Sequence, residues 1–487
     1  MKFSQNKLSL AIAATLSCSA AAQNTNNQTE LEAINVYGQK QVTSLQDTHA
    51  SIGLMTADQI ETSTIQDMND VFARTANITS LRGGNETTFA IRGVSIYGFT
   101  DNPANYTASV YVDEAPLNID SIRYGSLGLW DVEQIEVYRG PQGTLQGRNS
   151  LMGAIHLKTV DPSFDEYTAK VQASSGAFGT QRLSAAGGGS THENSDFAFR
   201  VSADNYKSDG YIENTTRNDD RYAGFDRSSY RAKLAYQPKG YSALSALMTI
   251  SRTESEIGDQ PMARSDDPFK FEALSDSPSS NDVTTDVANL KIDMALANNL
   301  TFTSVTTVTE DEYDRFDDFD STSQPLGTLD QLNNSEGLSQ ELRLSFTGDK
   351  INGVTGIYFS ESDNGSDWVM DTLYPKAAQQ AAAYQAMSGF GITGSDADNL
   401  WAAIPDLIDL YVTNDSQYKT TNYAIFGEVN WATTDALTLS FGARYDKEDQ
   451  KRDQNTVNNV NSVITDYDAT TNLYANTLLQ SLASRAA

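Results

Sequence analysis

Residues 131–155 read DVEQIEVYRGPQGTLQGRNSLMGAI. The stretch opens as a short strand in which Val132, Ile135 and Val137 hold the apolar positions before Arg139. Gly140, Pro141, Gly143 and Gly147 then force a series of tight turns. Those turns place Arg139 and Arg148 on a compact, rigid surface.

Downstream of about residue 165 the chain changes character and repeats one unit, an alternating segment, a turn, and another alternating segment. Tyr423, Ile425, Val429 and Trp431 share one face, opposed by Asn422, Glu428 and Asn430. Leu437, Leu439, Phe441, Ala443 and Tyr445 oppose Thr438, Ser440, Arg444 and Asp446. Leu338, Leu342, Leu344 and Phe346 likewise oppose Ser339, Glu341, Arg343 and Ser345, and Tyr230, Ala232, Leu234 and Tyr236 oppose Arg231 and Lys233. Apolar and aromatic residues on one face with charges on the other suit a strand that has lipid outside and water inside. A soluble β-sandwich also alternates, but rarely for ten residues with charges on its hidden face.

Scanning from residue 167, the pattern predicts eleven strands. The short connections are GSTHENS near residue 192, QPKG at 237–240, ANN at 297–299, TGDK at 347–350 and ATTDA at 432–436. The long ones run through residues 207–226, 253–283, 312–335 and 363–417. Short turns alternating with long loops are the asymmetry of an outer-membrane barrel. In the longest loop, KAAQQAAAYQAM and ADNLWAAIPDLIDLY read as short helices. The acidic run at residues 310–320 lacks the glycines of a calcium loop and reads as a solvated loop, with no metal site.

The N-terminus reads as a secretory signal. Lys2 and Lys7 form the positive region, LSLAIAATL at residues 8–16 the apolar core, and Ala20, Ala21 and Ala22 the cleavage site. The apolar run is too short to span a bilayer. The rival reading, lipid attachment at Cys18, wants an apolar residue where Thr15 stands. Removing residues 1–22 takes away two lysines, no acids and the only cysteine, leaving a net charge of −32. Such a surface repels nucleic acid. The three histidines, His49, His156 and His192, lack metal-ligand spacing, and no nucleophile elbow or P-loop appears. No enzyme activity and no cofactor is expected.

Residues 131–155 resemble the signature of the plug domain of TonB-dependent outer-membrane receptors. ELEAINVYG, residues 30–38, resembles the TonB box, which the resemblance assigns to Glu32, Ala33, Ile34, Asn35, Val36 and Tyr37. The physical requirement there is a β-prone run that can add a strand to a partner sheet. LMTADQIETSTIQDMNDVFARTANI at residues 54–78 predicts two helical turns, capped by Thr56 or Asp58 and by Thr64. SLRGGNETTFAIRGVS and ASVYVDEAPL follow the strand-turn-strand pattern of the plug through Arg92-Gly93 and Tyr111-Val112-Asp113. The chain departs from the family at three places: Glu114 stands where glycine is preferred, Gln146 where an aromatic is usual, and Met152 where glycine is expected.

The resemblance implies an N-terminal mixed α/β plug domain followed by an antiparallel transmembrane β-barrel, with about half of a twenty-two-stranded barrel present. The expected division is signal peptide 1–22, N-terminal segment 23–45, plug 46–160 and partial barrel 165–487. The family closes its last strand on an aromatic residue, whereas this sequence ends in LASRAA, so a fragment, a truncated gene product or a frameshifted tail is expected, unable to transport as it stands. The implied function is active uptake of a ferric siderophore, with cobalamin, haem or an oligosaccharide as alternative cargo and a passive porin as the rival class. The implied partners are a TonB-type energy-coupling protein, outer-membrane lipid and the ligand. Arg92 and Arg139 resemble plug positions that pair with wall glutamates, here Glu341, as a releasable latch. Arg82, Tyr97 and Tyr106 stand where family members touch ligand, and an arginine among tyrosines suits an iron chelate.

Overall fold

The computed structural model describes residues 34–460, apart from 42, 64, 84–85, 97–105, 124, 126, 260–266, 390 and 435–436. The signal sequence, Glu32, Ala33, Thr64 and Tyr97 therefore lie outside the described residues.

The expected plug signature folds as a strand, Val132–Arg139, a short helix, Gly143–Gln146, and a second strand, Gly153–Thr159. The two strands pair antiparallel, with Ile155 opposite Val137. They form the centre of a five-stranded mixed sheet, flanked by Ile52–Thr56 on one side and by Ala108–Val112 and Ala115–Pro116 on the other. A second antiparallel sheet of Ile78–Gly83, Glu86–Ile91 and Val94–Ser95 stands beside it. Val71, Phe72, Phe89, Ile91, Ile135 and Ile155 meet in one core. Phe72 stacks on Phe89 with ring centroids 4.5 Å apart.

Glycine is required at two points of the signature for different reasons. Gly147 holds a left-handed φ of +82°. At Gly153 a Cβ would stand 2.2 Å from the carbonyl oxygen of Tyr138, so the neighbouring strand leaves no room for one. Of the two expected helices, Thr56 caps Ala57–Thr62 through a capping box, as anticipated. The second, Met68–Arg74, is capped by Asp67, whose side chain accepts from the Asp70 amide at 3.1 Å.

The rest of the chain is an eleven-stranded antiparallel sheet in strictly sequential order, from Thr168–Ser175 to Leu437–Val460. Its faces follow the predicted alternation. Tyr423, Ile425 and Phe441 are exposed on one side, while Asn422, Glu341, Arg343 and Lys233 are buried on the other. The predicted short connections all fall at hairpin turns. No helix among the described residues is long and apolar enough to cross a membrane; this sheet presents its apolar face by strands.

The long connections differ from expectation. Strands Ile351–Pro375 and Leu407–Thr434 continue their ladder far into the predicted 363–417 loop, from Ile351 opposite Trp431 to Pro375 opposite Leu407. Continued pairing satisfies the backbone, and Met370, Leu410 and Val412 bury together against Leu329 and Trp368. Helices Gln380–Gly389 and Ser395–Ala403 form as expected, but Asp409, Leu410 and Tyr411 lie in a strand, not a helix.

The acidic run is likewise strand, Leu300–Asp318, rather than loop. Its inward carboxylates have donors: Asp311 accepts from Thr285 Oγ1 at 2.8 Å, and Asp318 accepts from Ser275 Oγ at 2.7 Å and the Asp276 amide at 2.9 Å. The oxygens of Asp276, Asp318 and Asp320 lie within 4.8 Å of one another, and the Asp318 carboxylate organises the turn around them.

Candidate functional site

Ile34–Tyr37, the described part of the segment expected to recruit an energy-coupling protein, is docked on the plug. Asn35 and Val36 pair antiparallel with Ser44 and Thr43, and Val36 is fully buried. The receiving group is the buried carboxylate of Glu136, on strand Val132–Arg139. It accepts from the Tyr37 amide at 2.8 Å, the Gly38 amide at 3.0 Å, Gln134 Nε2 at 2.7 Å and the Tyr138 hydroxyl at 2.7 Å. Gln134 Nε2 also donates to the Asn35 carbonyl at 2.8 Å, and Gln146 Nε2 to the Gly38 carbonyl. Hydrogen bonds to an ionised acceptor are among the stronger ones. Gln146, one of the departures from the family pattern, thus holds this segment in place.

Three residues on, Lys40 leaves the plug and pairs with Glu341 of the wall. Burial pushes its ammonium below the usual range, against the pull of Glu341. Glu341 also accepts from Arg343 Nη1 at 3.0 Å, and Arg343 Nη2 lies 2.6 Å from Glu114 of the plug. Lys291 meets the same Glu114 at 2.6 Å. Burial acts to raise the Glu114 carboxyl, but Arg343 and Lys291 outweigh it and hold the group well below the usual carboxylate range. Glu114 sits at φ +70° after Asp113 at φ +50°, in a tight hairpin turn where glycine costs less. The family's glycine is replaced here by a carboxylate that reaches two wall cations.

The expected latch of Arg92 and Arg139 with Glu341 does not form. Arg139 donates to the carbonyls of Ala76 at 3.0 Å and Ile52 at 3.2 Å, so it ties plug to plug. Arg92 is exposed and lies against Gly140. The physical reason is polarity. In this chain the plug supplies carboxylates and the wall supplies cations: Asp131 pairs with Arg200 at 2.5 Å, and Asp113 and Asp161 with Lys233 at 3.1 and 2.7 Å. Lys40, which meets Glu341, and Arg148, which reaches Glu448 at 2.7 Å, run the other way. The signal for this reversal was present as inward-facing Lys233 and Arg343 and as the acidic pair Asp113-Glu114.

Between the plug and the wall lies a cleft that opens to the surrounding solvent. Tyr106 lines it, together with Asn118, Gln146 and Arg148 of the plug and Asn364 and Tyr418 of the wall. A second compartment shares Tyr106, Asn118, Asn364 and Tyr418 and adds Trp368 and Asn414. Of the expected ligand contacts, the structure brings Tyr106 to the cleft. Arg82 is on strand Ile78–Gly83, and Tyr97 lies outside the described residues. Sequence reasoning missed Asn118, Asn364 and Gln146, because neutral amides carry no spacing signal.

Residues 44–154 match the family model described as the TonB-dependent receptor plug domain. The iron-regulated outer membrane virulence protein of Vibrio cholerae is 29% identical over 162 residues, covering 31% of this chain and 23% of that protein. The ferrioxamine B receptor of Salmonella typhimurium is 29% identical over 121 residues, covering 24% of this chain and 16% of that one. The crystal structure of the ferric yersiniabactin uptake receptor of Yersinia pestis superposes with a TM-score of 0.68 at 16% identity, over 86% of this chain and 63% of that one. The chain therefore spans less than two thirds of the relatives it is similar to. Residues 44–154 are thus similar to a TonB-dependent receptor plug domain, and the chain as a whole shares the fold of a solved outer-membrane receptor.

Proposed function

We propose that this chain, a TonB-dependent siderophore-receptor-like protein with its plug domain at residues 44–154, carries the plug and wall of a receptor that, with its barrel complete, takes up a ferric siderophore across the outer membrane in response to a TonB-type partner. One observation carries the reading: Gln146 lines the ligand cleft and also holds Gly38 of the docked N-terminal segment. Its backbone carbonyl accepts from the Tyr111 hydroxyl at 3.1 Å, and Tyr111 lines the same cleft. A ligand that displaces Gln146 removes a hydrogen bond from the segment the partner must capture. The two sites thus share a physical link, which is the minimum a coupling free energy requires.

The latch geometry fits the same task. A partly buried cluster of Lys40, Glu341, Arg343, Glu114 and Lys291 is specific in position but adds little net stability against well-packed apolar residues. Pulling on residues 34–40 acts directly on its Lys40 end. A passive pore is the weaker reading, since the plug packs against the concave face of the wall through these pairs.

The test replaces Ile34 with Pro, which removes an amide donor that strand addition to a partner needs. In a receptor whose barrel is completed to full length, cell-surface binding of a ferric siderophore should be retained while energised uptake is lost. Equal uptake by Ile34→Pro and the parent would sink the assignment of residues 32–37.

A further inference from the structure

One row of the plug sheet joins the cleft to the docked N-terminal segment. His156, on strand Gly153–Thr159, stands in register with Tyr111 on one side and with Glu136 on the other. The three side chains therefore share a face of the sheet. Tyr111 lines the cleft, and Glu136 accepts the Tyr37 and Gly38 amides. Between them the imidazole lies flat on the Tyr111 ring, with centroids 4.7 Å apart and 6° between the planes. Its edge meets the Tyr138 ring at 5.5 Å, and the Tyr138 hydroxyl donates to Glu136.

Gly38 rests against both inner rings. A Cβ there would stand 2.5 Å from Tyr138 Cε2 and 2.7 Å from His156 Cδ2, so the segment docks only while the two rings keep their places. Hydrogen bonding at Nε2 does not fix the imidazole, because that atom is buried with no partner among the described residues. The face of Tyr111 is what orients it, as stacked rings do for one another. Tyr111, Gln146 and Tyr358 line both the cleft and a smaller chamber that reaches Gly38, Lys40 and His156.

Resting on the uptake reading above, we infer that His156 is a positioning residue that passes movement of the Tyr111 ring to the docked segment. A ligand that shifts Tyr111 takes away the surface holding the imidazole flat. The freed ring turns into the space against which Gly38 packs, and the segment leaves Glu136. This route is separate from the Gln146 hydrogen bond, since it runs through ring faces and not through the Tyr111 hydroxyl. Were His156 only filling volume, leucine, of similar bulk, would serve as well as phenylalanine.

The experiment reads deuterium exchange of residues 35–40 by mass spectrometry on the full chain, refolded in detergent, with Gly38→Ala giving the undocked rate. Tyr111→Leu removes the ring face and should speed exchange by about fivefold to tenfold, the scale of one aromatic pair. Tyr111→Phe removes only the hydroxyl and should keep the parent's rate. In His156→Leu the segment should already exchange fast, and adding Tyr111→Leu should change nothing further. In His156→Phe, which keeps a ring, the effect of Tyr111→Leu should return. Should the leucine variants also lose protection across Val132–Arg139, the phenylalanine variants decide, since each should keep the parent's rate. Fast exchange in Tyr111→Phe or His156→Phe, or additive effects of the two leucine substitutions, overturns the inference and leaves the uptake reading on its Gln146 link. Equal uptake by Ile34→Pro and the parent would instead remove the reading on which the inference rests, whatever the exchange rates.

Discussion

Two side chains in the plug carry more consequence than their number suggests. Glu136 is the shared acceptor for the docked N-terminal segment, and its loss leaves the Tyr37 and Gly38 amides without that acceptor. A buried donor left unsatisfied costs about 1–3 kcal/mol. In Glu136→Ala the amides of residues 34–41 should therefore exchange with deuterium on the order of tenfold to a hundredfold faster, read by mass spectrometry, with the core strand Gly153–Thr159 unchanged. Equal exchange in variant and parent would mean that the segment is held by other contacts. The second residue is His156, stacked on Tyr111 at 4.7 Å. Burial, aided by the charge of Lys40, lowers its imidazole to about 3 from a usual 6.5. It is neutral in the fold and takes a proton more readily in the unfolded chain. Its contribution is complete above pH 6.5 and falls as pH drops toward 3, by about 2 kcal/mol at pH 5. Thermal unfolding in detergent should show this loss between pH 7 and pH 5 in the parent and a smaller loss in His156→Gln.

At the scale of elements, the turn between Ala108–Val112 and Ala115–Pro116 shows how a local cost serves a distant contact. Glu114→Gly relieves a left-handed φ worth about 1 kcal/mol but leaves Arg343 and Lys291 without their plug carboxylate. Glu114 is about a quarter exposed, so its loss costs less than the roughly 3–5 kcal/mol typical of a fully buried pair. The variant should keep a folded plug yet release it from the wall at lower urea, seen as earlier proteolysis of the plug. Because the folded carboxyl lies below the usual range, the parent's advantage should be complete above pH 5 or so and fade as the solution is acidified. Gly153→Ala tests a different element: the carbonyl of Tyr138 leaves no space for a Cβ, and the ladder pair with Arg139 should open. Its purified plug sheet should lose protection across Val132–Arg139, whereas intact protection would show that the strands can part without cost.

The same scale shows what the sequence made legible. The wall strands were readable because apolar residues at every second position, such as Tyr423 and Ile425, leave a period that survives long segments. The helices Gln380–Gly389 and Ser395–Ala403 were readable from their alanine-rich pattern. The strand extensions were not, since residues such as Asp363 and Asn364 carry no apolar period to mark the ladder that runs through them. Arg92 and Arg139 were misassigned because a motif records which residues recur, not which way they face in a chain whose plug has become the acidic partner.

For the molecule as a whole, the account is that one curved sheet shows lipid its apolar face and shows the plug its polar one. Everything proposed about uptake depends on that two-sidedness: the latch needs Glu341 and Arg343 turned inward, and the cleft needs Tyr418 and Asn414 on the same side. The full chain can be reconstituted with lipid and nitroxide labels placed singly at residues 422 to 431, where the strand Leu407–Thr434 crosses the wall. Collision rates with oxygen, which concentrates in hydrocarbon, should peak at positions 423, 425, 429 and 431 and fall at 422, 424 and 426, a repeat of two along the strand. A flat profile, or one that repeats every three to four residues, would contradict the account.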